Sequence, residues 1–197
     1  MTDPLFDGGD GNTPLDVDEQ DGLRPTWIRT RSDLNQAELD NILEGRRQVR
    51  VPAEASGVLD DVWLRRLHKR LFGDVWTWAG TYRRTERNIG IEPSRIGVAV
   101  RDLVADAALW IEQEPFELAG ARFHHRLVAI HPFPNGNGRH ARVATDYLGA
   151  ALNAPTPTWG AGVARPVAEL RRAYLAALRA ADRDRDDLER LTVFMWS

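Results

Sequence analysis

The chain has 197 residues, of which 43% are hydrophobic and 28% are charged, and its net charge is −3 when the histidines are neutral. This length predicts one domain of ordinary size, and the balanced charge argues against general nucleic-acid binding and against a membrane surface as partner. The absence of cysteine excludes a disulfide framework, a thiolate metal site and a cysteine nucleophile.

The beginning of the chain is acidic. Its first 22 residues carry seven acidic side chains and no lysine or arginine, which is the opposite of the start of a signal peptide. No apolar run approaches the length that crosses a membrane. Residues 1–30 are rich in Gly, Pro and Asp and lack a helical or strand period, so they are predicted to form an N-terminal arm. We expect a soluble, cytoplasmic protein.

Helical periodicity begins after this arm. Ser32 is predicted to cap a helix over residues 31–48, in which Leu39, Ile42 and Leu43 recur at helical spacing. A second helix is predicted from about residue 56 to residue 72. Further apolar sets follow along the chain at helical spacing. Three precede residue 153: Ile96, Val100, Leu103, Ala107 and Trp110; Ala119, Phe123, Leu127 and Ile130; and Ala144, Tyr147, Leu148, Ala151 and Leu152. Two lie in the tail: Leu170, Tyr174, Leu178 and Ala181, and then Leu188, Leu191, Phe194 and Trp196. The segment that starts at residue 131 therefore joins two helices.

Residues 77–95 have a different character, because strand-prone side chains alternate there with helix breakers. The strand-prone side chains are Trp78, Tyr82, Thr85 and Ile89, and the breakers are Gly80, Gly90 and Pro93. A small hairpin is predicted. Its composition suits pairing with an extended segment of a target protein, with Ile89 or Ile91 holding one target side chain. The alternative is that these isoleucines face the core.

The segment from His131 to Arg142 reads His-Pro-Phe-Pro-Asn-Gly-Asn-Gly-Arg-His-Ala-Arg. His131 accepts a proton near neutral pH and is the natural general base for a hydroxyl nucleophile. Asn135 offers a carbonyl oxygen to a hard cation such as Mg²⁺, with phosphate oxygens and water completing the shell. The alternative for Asn135 is a hydrogen bond that stabilises the turn.

The same segment has the features of an anion cradle. The backbone amides of Gly136, Asn137 and Gly138 lead into a helix and would point donors at phosphate oxygens. Arg139 and Arg142 lie three residues apart, so they project from nearly the same helix face and can grip separate phosphates. The alternatives are a plain turn between helices and a solvated pair of charges.

This segment resembles the signature of the Fic family, His-x-Phe-x-(Asp/Glu)-Gly-Asn-Gly-Arg-x-x-Arg. The stretch from Phe72 to Arg83, Phe-Gly-Asp-Val-Trp-Thr-Trp-Ala-Gly-Thr-Tyr-Arg, is similar to the family's entry into its flap hairpin. The whole chain, from about residue 5, resembles the subgroup called mobile mystery protein B.

The resemblance implies an all-α fold, a helical bundle with a small β-hairpin flap. It also implies transfer of a nucleoside monophosphate, usually AMP from ATP, to a Ser, Thr or Tyr hydroxyl of a target protein. By position, His131 would deprotonate that hydroxyl, Asn135 would help hold Mg²⁺, and the amides of residues 136–138 would hold the α- and β-phosphates. Arg139 and Arg142 would clamp the leaving pyrophosphate, and self-modification and oligomerisation stay open.

Two departures from the family pattern matter. Asn135 stands where the signature has a carboxylate, and a neutral ligand holds Mg²⁺ less tightly. Many relatives also carry an inhibitory helix with the pattern (Ser/Thr)-x-x-x-Glu-(Gly/Asn), of which this chain has Glu44-Gly45 but Asp40 at the first position. Residues 31–48 are therefore predicted to be an inhibitory helix ahead of a catalytic domain at 49–197, with Glu44 pairing with Arg142 in place of the γ-phosphate.

Rival functions remain at this point. Relatives with altered motifs include a phosphotransferase and enzymes with other nucleotide donors, although the intact Gly-Asn-Gly-Arg-x-x-Arg core favours AMP transfer. A non-catalytic interaction module of a two-gene stress system would have no use for a base beside an anion cradle. A metal hydrolase built from His124, His125, His131 and His140 is disfavoured because carboxylate partners are missing nearby.

Overall fold

The computed structural model describes residues 20–162, 164, 166–184 and 187–197. Its helices are α1 (Arg31–Gln48), α2 (Ala55–Val58), α3 (Asp61–Phe72), α4 (Ile96–Gln113), α5 (Phe116–Ile130), α6 (Asn137–Ala151), α7 (Val167–Arg183) and α8 (Glu189–Met195), with a 3-10 turn at Pro93–Arg95. The all-α fold is confirmed. Most of the predicted N-terminal arm, residues 1–19, lies outside the described residues. Within the described part of the chain, no helix is both long and apolar enough to span a membrane.

Side-chain caps set where two of the helices begin. Thr30, not Ser32, caps α1: its hydroxyl accepts from the Asp33 amide at 3.1 Å, and the Asp33 carboxylate accepts from the Thr30 amide at 2.9 Å. Asp60 caps α3 by accepting from the Trp63 amide at 2.6 Å. This second cap divides the single helix predicted over residues 56–72 into α2 and α3.

The helices enclose two hydrophobic cores that meet at α5. The larger core is formed mainly by helices α1 to α6 and includes Trp76, Phe72 and Leu103. The smaller core joins Ala121 of α5 to α7 and α8. The apolar stripes predicted for α4 and α5 are the buried ones, apart from Trp110, which is half-buried. Because α5 packs on both cores and on α6, the loop between α5 and α6 is held between well-packed elements.

Of the three apolar positions predicted for α1, only Ile42 is on the buried face of the helix. Leu39 and Leu43 are 48% and 54% exposed, whereas Ala37, Glu38 and Asn41 are buried. A Cβ atom added at Gly45 would lie only 2.4 Å from the Arg70 carbonyl oxygen, so the two backbones are in close contact. Small residues allow this approach, and the apolar leucines are consequently turned to solvent.

The predicted hairpin is an extended loop over residues 81–92. No strand ladder forms among the described residues, and the one isolated antiparallel bridge joins Leu23 to Trp76. The two limbs of the loop are connected by the Arg83 side chain, which donates to the carbonyl oxygens of Thr85 (2.9 Å) and Ile91. A guanidinium therefore takes the place of the backbone hydrogen bonds that a hairpin would need.

Candidate active site

His131 follows the last residue of α5 and has a left-handed backbone, with φ 53° and ψ 59°. A non-glycine residue in this region costs about 1–2 kcal/mol, and Pro132 disfavours continuing the α-helix. The conformation ends α5 abruptly and turns the imidazole out of the helix. The ring lines a cavity, although the residue is only 7% exposed.

The surroundings of His131 keep its imidazole neutral. Burial lowers its pKa to about 4, the positive charges of Arg83 and Arg87 act in the same direction, and a hydrogen bond with the Val128 backbone opposes them. An imidazole that donates one N–H to a carbonyl presents the other nitrogen as a base. At neutral pH, His131 can therefore accept a proton.

The loop after His131 is fixed by side chains that it buries. The Asn137 amide accepts from the Phe133 N–H at 2.9 Å and donates to the Phe133 carbonyl at 2.8 Å. The Phe133 ring stacks on His68 at 3.7 Å between centroids. His68 in turn donates to the Asn135 carbonyl at 3.0 Å and accepts from the Gly80 amide at 3.0 Å. Both sides of the loop are thus held before any ligand binds.

The anion cradle is predicted at the start of α6. Gly136 precedes the helix with φ 78°, and a Cβ atom there would lie 2.6 Å from the Phe72 ring, so only glycine fits. The first N–H groups of a helix lack acceptors within it and carry partial positive charge. The Gly136 amide donates to the Asn135 side-chain oxygen at 2.7 Å. The amides that follow, at Asn137 and Gly138, belong to this first turn.

Arg139, which is partly exposed, forms an ion pair with the buried Glu38 of α1. Its guanidinium lies 2.8 Å from a Glu38 oxygen and 5.0 Å above the Phe72 ring. The other Glu38 oxygen accepts from the Trp76 indole at 2.8 Å and from the Asn135 amide at 3.3 Å. Glu38 is 2% exposed, and these three donors satisfy its charge.

Arg142 is oriented by aromatic rings. Its guanidinium lies 4.1 Å above the Tyr174 ring of α7 and 5.7 Å from the Trp159 ring. The Tyr174 hydroxyl forms a 3.0 Å hydrogen bond with the His124 ring. Burial raises the pKa of Tyr174 to about 12, so the ring beneath Arg142 stays neutral.

One cavity of about 380 Å³ collects the predicted site residues. It is lined by His131, Asn135, Gly136, Asn137, Gly138, Arg139 and Arg142, together with Arg31, Asn35 and Glu38 of α1 and Val167, Leu170, Arg171, Tyr174 and Leu175 of α7. A base, a helix start and two guanidinium groups therefore face a shared space large enough for a small organic molecule.

Comparison with known proteins shows which family this chain is similar to. The profile of the Fic/DOC family matches residues 58–148. The probable protein adenylyltransferase y4lH of Sinorhizobium fredii (strain NBRC 101917 / NGR234) is 32% identical over 148 residues, which cover 64% of this chain and 74% of that protein. The chain belongs to the Fic/DOC family.

Other relatives extend the comparison. Protein adenylyltransferase fic-1 of Caenorhabditis briggsae is 31% identical over 131 residues, covering 63% of this chain but 24% of that protein. The chain thus matches about a quarter of the length of that Fic relative. The crystal structure of BepC protein with bound AMPPNP, from Bartonella tribocorum, has a TM-score of 0.66 at 18% identity and covers 91% of this chain and 96% of that one. At this identity the likeness concerns the fold.

The predicted contact between Glu44 and the Fic arginines is wrong. The Glu44 carboxylate is half exposed and lies 3.3 Å from Arg47 and 2.9 Å from Gln48, on its own helix. Glu44 follows Glu38 by six residues, which is a rotation of about 240° around the α1 axis. The carboxylate of α1 that reaches an arginine of the motif is therefore Glu38, and that arginine is Arg139.

The two isoleucines of the Fic flap segment have different surroundings. Ile89 is 46% exposed, as a residue available to a target would be. Ile91 is half-buried and packs against the larger core. Neither side chain lines the cavity.

The histidines and acids of the site do not form a metal centre of their own. Within the described ranges, no group of three His, Asp or Glu side chains could hold a metal ion. Asn135 nevertheless has an oxygen at the cavity that accepts from Gly136 and retains a second lone pair. It fits as one ligand of a Mg²⁺ ion whose other ligands come from phosphate and water.

Three residues with defined contacts at the Fic site were missed by sequence reasoning. Tyr174 was assigned only to an apolar stripe, and Arg83 lies in the predicted hairpin without a role. Glu38 did carry a signal, because it is a charged residue on a helical stripe of buried positions. That stripe comprises Leu34, Ala37, Asn41, Ile42 and Gly45. A charge on such a face needs a partner from elsewhere in the fold.

Proposed function

We propose that this Fic protein is a protein adenylyltransferase that moves AMP from ATP to a Ser, Thr or Tyr hydroxyl of a target protein. The observation that carries the proposal is the single cavity shared by His131, the start of α6 and both arginines. The relatives named protein adenylyltransferases and the neighbour whose structure holds AMPPNP support the same chemistry.

In this reaction His131 takes the proton of the target hydroxyl as its oxygen attacks the α-phosphorus. The bond from that phosphorus to the oxygen bridging the α- and β-phosphates breaks, and pyrophosphate leaves. Neutral imidazole is required for the first step, and the low pKa of His131 supplies it across the neutral range. Most of the acceleration comes from aligning the reactants and offsetting charge.

The remaining residues hold the triphosphate. The amides at the start of α6 would bind the α- and β-phosphate oxygens, and Arg139 and Arg142 would grip the departing pyrophosphate. Asn135 would contribute its side-chain oxygen to Mg²⁺, which neutralises phosphate charge when bound. Because Asn135 is neutral, phosphate oxygens must supply most of the attraction for the metal.

The proposal includes a brake on this activity, formed by Glu38. Its carboxylate neutralises Arg139, and it receives further hydrogen bonds from Trp76 and Asn135. A triphosphate that needs Arg139 must compete with a paired, buried carboxylate, and its own negative charge is repelled by that carboxylate. ATP would then bind weakly until Glu38 moves away.

The experiment that tests the function uses ATP labelled at the α- or the γ-phosphate. The chain is incubated with Mg²⁺, each labelled ATP and a cell extract, alongside a His131→Ala control. Protein that gains the α label, in the parent only, supports AMP transfer to a target, and label on the chain itself reports self-modification. The γ label in protein would instead favour a phosphotransferase, and no label with either would favour an interaction module.

A further inference from the structure

The buried side chain of Arg83 occupies the junction between the flap loop, residues 84–91, and the loop that carries His131. Arg83 is 3% exposed. Its Nε donates to the His131 carbonyl oxygen at 2.7 Å, and its two terminal nitrogens donate to Thr85 and Ile91. Its backbone amide donates to the Pro132 carbonyl at 3.0 Å. Four contacts thus connect one residue to both limbs of the flap loop and to the backbone of the proposed base.

Each of these acceptors is a backbone carbonyl oxygen. A carboxylate partner could be met by either cationic side chain, but carbonyls in three directions require the planar fork of a guanidinium. Removing the guanidinium would leave three carbonyl oxygens without these donors, and each buried oxygen left without a hydrogen bond lowers the stability of the folded protein. The positive charge also lowers the pKa of the His131 imidazole.

A second contact independently joins the flap loop to His131. Gly90 has φ 93°, and a Cβ atom added there would lie 2.6 Å from the His131 Cβ and 2.7 Å from an Arg83 terminal nitrogen. The Ile91 amide also points to the Ile130 carbonyl at 3.4 Å. The far limb of the flap loop therefore lies directly on the residue whose side chain faces the cavity.

We propose that Arg83 is a positioning residue that fastens the flap loop to the His131 backbone, so that the imidazole and the surface receiving the target chain move as one unit. The inference rests on the proposed AMP transfer. An extended target segment lying along the exposed side of the loop, near Ile89, would then present its hydroxyl at a fixed distance from the imidazole. Arg83 itself does not line the cavity.

The test compares Arg83→Ala with Arg66→Ala, a matched control because Arg66 is an exposed arginine of α3 that lies outside both the flap loop and the cavity lining. Misplacing a reacting group by about 1 Å can cost roughly 100-fold in rate, so kcat for AMP transfer should fall by about that factor in Arg83→Ala. KM for ATP should stay close to that of the parent, because the start of α6 and its arginines are unchanged. Methylguanidinium added to Arg83→Ala should restore part of kcat, which a general loss of folding would not allow.

Two further variants guard against a misfolded protein. Arg83→Lys keeps a buried cation with a shorter reach and should have an intermediate kcat. Gly90→Ala retains Arg83 but adds a Cβ atom that would press on both His131 and the Arg83 guanidinium, so it should lower kcat with little change in KM for ATP. Equal kcat values for Arg83→Ala, Arg66→Ala and the parent would overturn the inference.

A readout that does not need catalysis separates this inference from the proposed function. Trypsin can cut after Arg87, within the flap loop, and cutting of the native protein reports local opening. Cleavage there should be faster in Arg83→Ala than in the parent and slowed again by methylguanidinium, while Arg66→Ala should match the parent. If the parent transfers no AMP, the proposed function fails, and the cleavage rates still decide whether Arg83 fastens the loop. If trypsin cuts Arg83→Ala after Arg87 at the same rate as the parent, the positioning role of Arg83 is wrong.

Discussion

Glu38 brings a negative charge into the core, and its three donors explain how the fold tolerates it. Truncating a buried, charged partner is costly because the opposite charge is left behind. Here the partner, Arg139, also lines the cavity and is partly exposed, so it can be solvated or bound by phosphate instead. Arg139 can therefore exchange its Glu38 partner for a phosphate group, which an arginine enclosed in the core could not do.

Removing the charge of Glu38 while keeping its shape should release the proposed brake. Glutamine retains an oxygen for the Trp76 indole but no longer holds Arg139 by charge. Charge-assisted hydrogen bonds contribute about 1.5–3 kcal/mol. We therefore expect Glu38→Gln to bind ATP about 10- to 100-fold more tightly and to transfer AMP faster. Isothermal titration with ATP and transfer of the α label measure both effects.

Glu44→Gln is the matched control for this prediction. It is the same substitution on the same helix, at a half-exposed carboxylate whose contacts are Arg47 and Gln48. Surface pairs of this kind contribute little, so ATP affinity and transfer should stay at parent values. A Glu44 variant that activates as strongly as the Glu38 variant would show that the ion pair with Arg139 is not the restraint.

The sequence predicted the residues of the cavity well where they are close together in the chain. His131, Asn135 and Arg142 lie within one short segment, whose spacing already implies a helix end, a loop and a helix start. Glu38 is separated from Asn135 by 97 positions and from Arg139 by 101. A contact between residues so far apart in the sequence depends on how α1 packs, and hydrophobic periodicity alone does not predict that packing.

At the scale of elements, α1 shows why its packing was mispredicted. The helix has apolar residues on two sides, and the prediction grouped the exposed Leu39 and Leu43 with Ile42, which is buried. The buried side also holds Leu34, and Gly45 allows the close approach of α1 to α3 there. The choice between two such faces depends on the shape of the partner helix, which local spacing does not contain.

The flap loop differs from its prediction for a related reason. Strand-prone residues were present, but pairing of the two limbs is mediated by Arg83, whose fork reaches three carbonyls. Side-chain connections of this kind have no sequence period. The sequence does not single out Arg83, because Arg84 follows it directly and the residues from Thr85 to Arg87 are polar or charged.

Helix α7 supplies an aromatic surface for the second arginine of the motif, and a substitution can test its contribution. Tyr174→Leu would remove the ring beneath Arg142 and leave the guanidinium freer to rotate. Cation–π contacts are worth about 0.5–2 kcal/mol, so KM for ATP should rise about 2- to 30-fold. Steady-state transfer kinetics at varied ATP concentration would measure it.

Tyr174→Phe separates the ring from its hydroxyl. Phenylalanine keeps the surface under Arg142 but loses the hydrogen bond with His124. We expect KM for ATP close to that of the parent, with unfolding free energy lower by about 1 kcal/mol. Equal KM values for the leucine and phenylalanine variants would contradict a role for the ring.

At the scale of the whole molecule, buried histidines make stability depend on pH. Burial lowers the pKa of His131 and His140 to about 4 and that of His124 to about 3, and burial together with His140 holds the pKa of His68 well below its usual value. The unfolded chain binds these protons near pH 6.5, whereas the folded chain resists them. Between pH 6.5 and about 4 the unfolded state therefore carries more protons, and stability falls as the pH falls.

The size of this effect follows from linkage. At pH 5.5, one unit below the unfolded pKa, the three histidines with a folded pKa of about 3 or 4 together lower the free energy of unfolding by roughly 4 kcal/mol. His68 acts in the same direction. Small domains have a total stability of about 5–15 kcal/mol, so this loss is large. Urea unfolding followed by circular dichroism should show a steep fall in unfolding free energy between pH 7.5 and pH 5.5, before most carboxylates titrate.

Replacing one buried histidine tests whether these residues cause the dependence of unfolding free energy on pH. His140 donates to the Leu64 carbonyl at 2.9 Å, and glutamine can supply an N–H there without titrating. His140→Gln should reduce the slope of unfolding free energy against pH by about one proton, or about 1.4 kcal/mol per pH unit. A parent whose unfolding free energy is unchanged from pH 7.5 to 5.5 would mean that these rings are hydrated in the native state. The imidazole of His131 would then titrate near its ordinary pKa, and an acid limb of AMP transfer would appear near pH 6.5 instead of near 4.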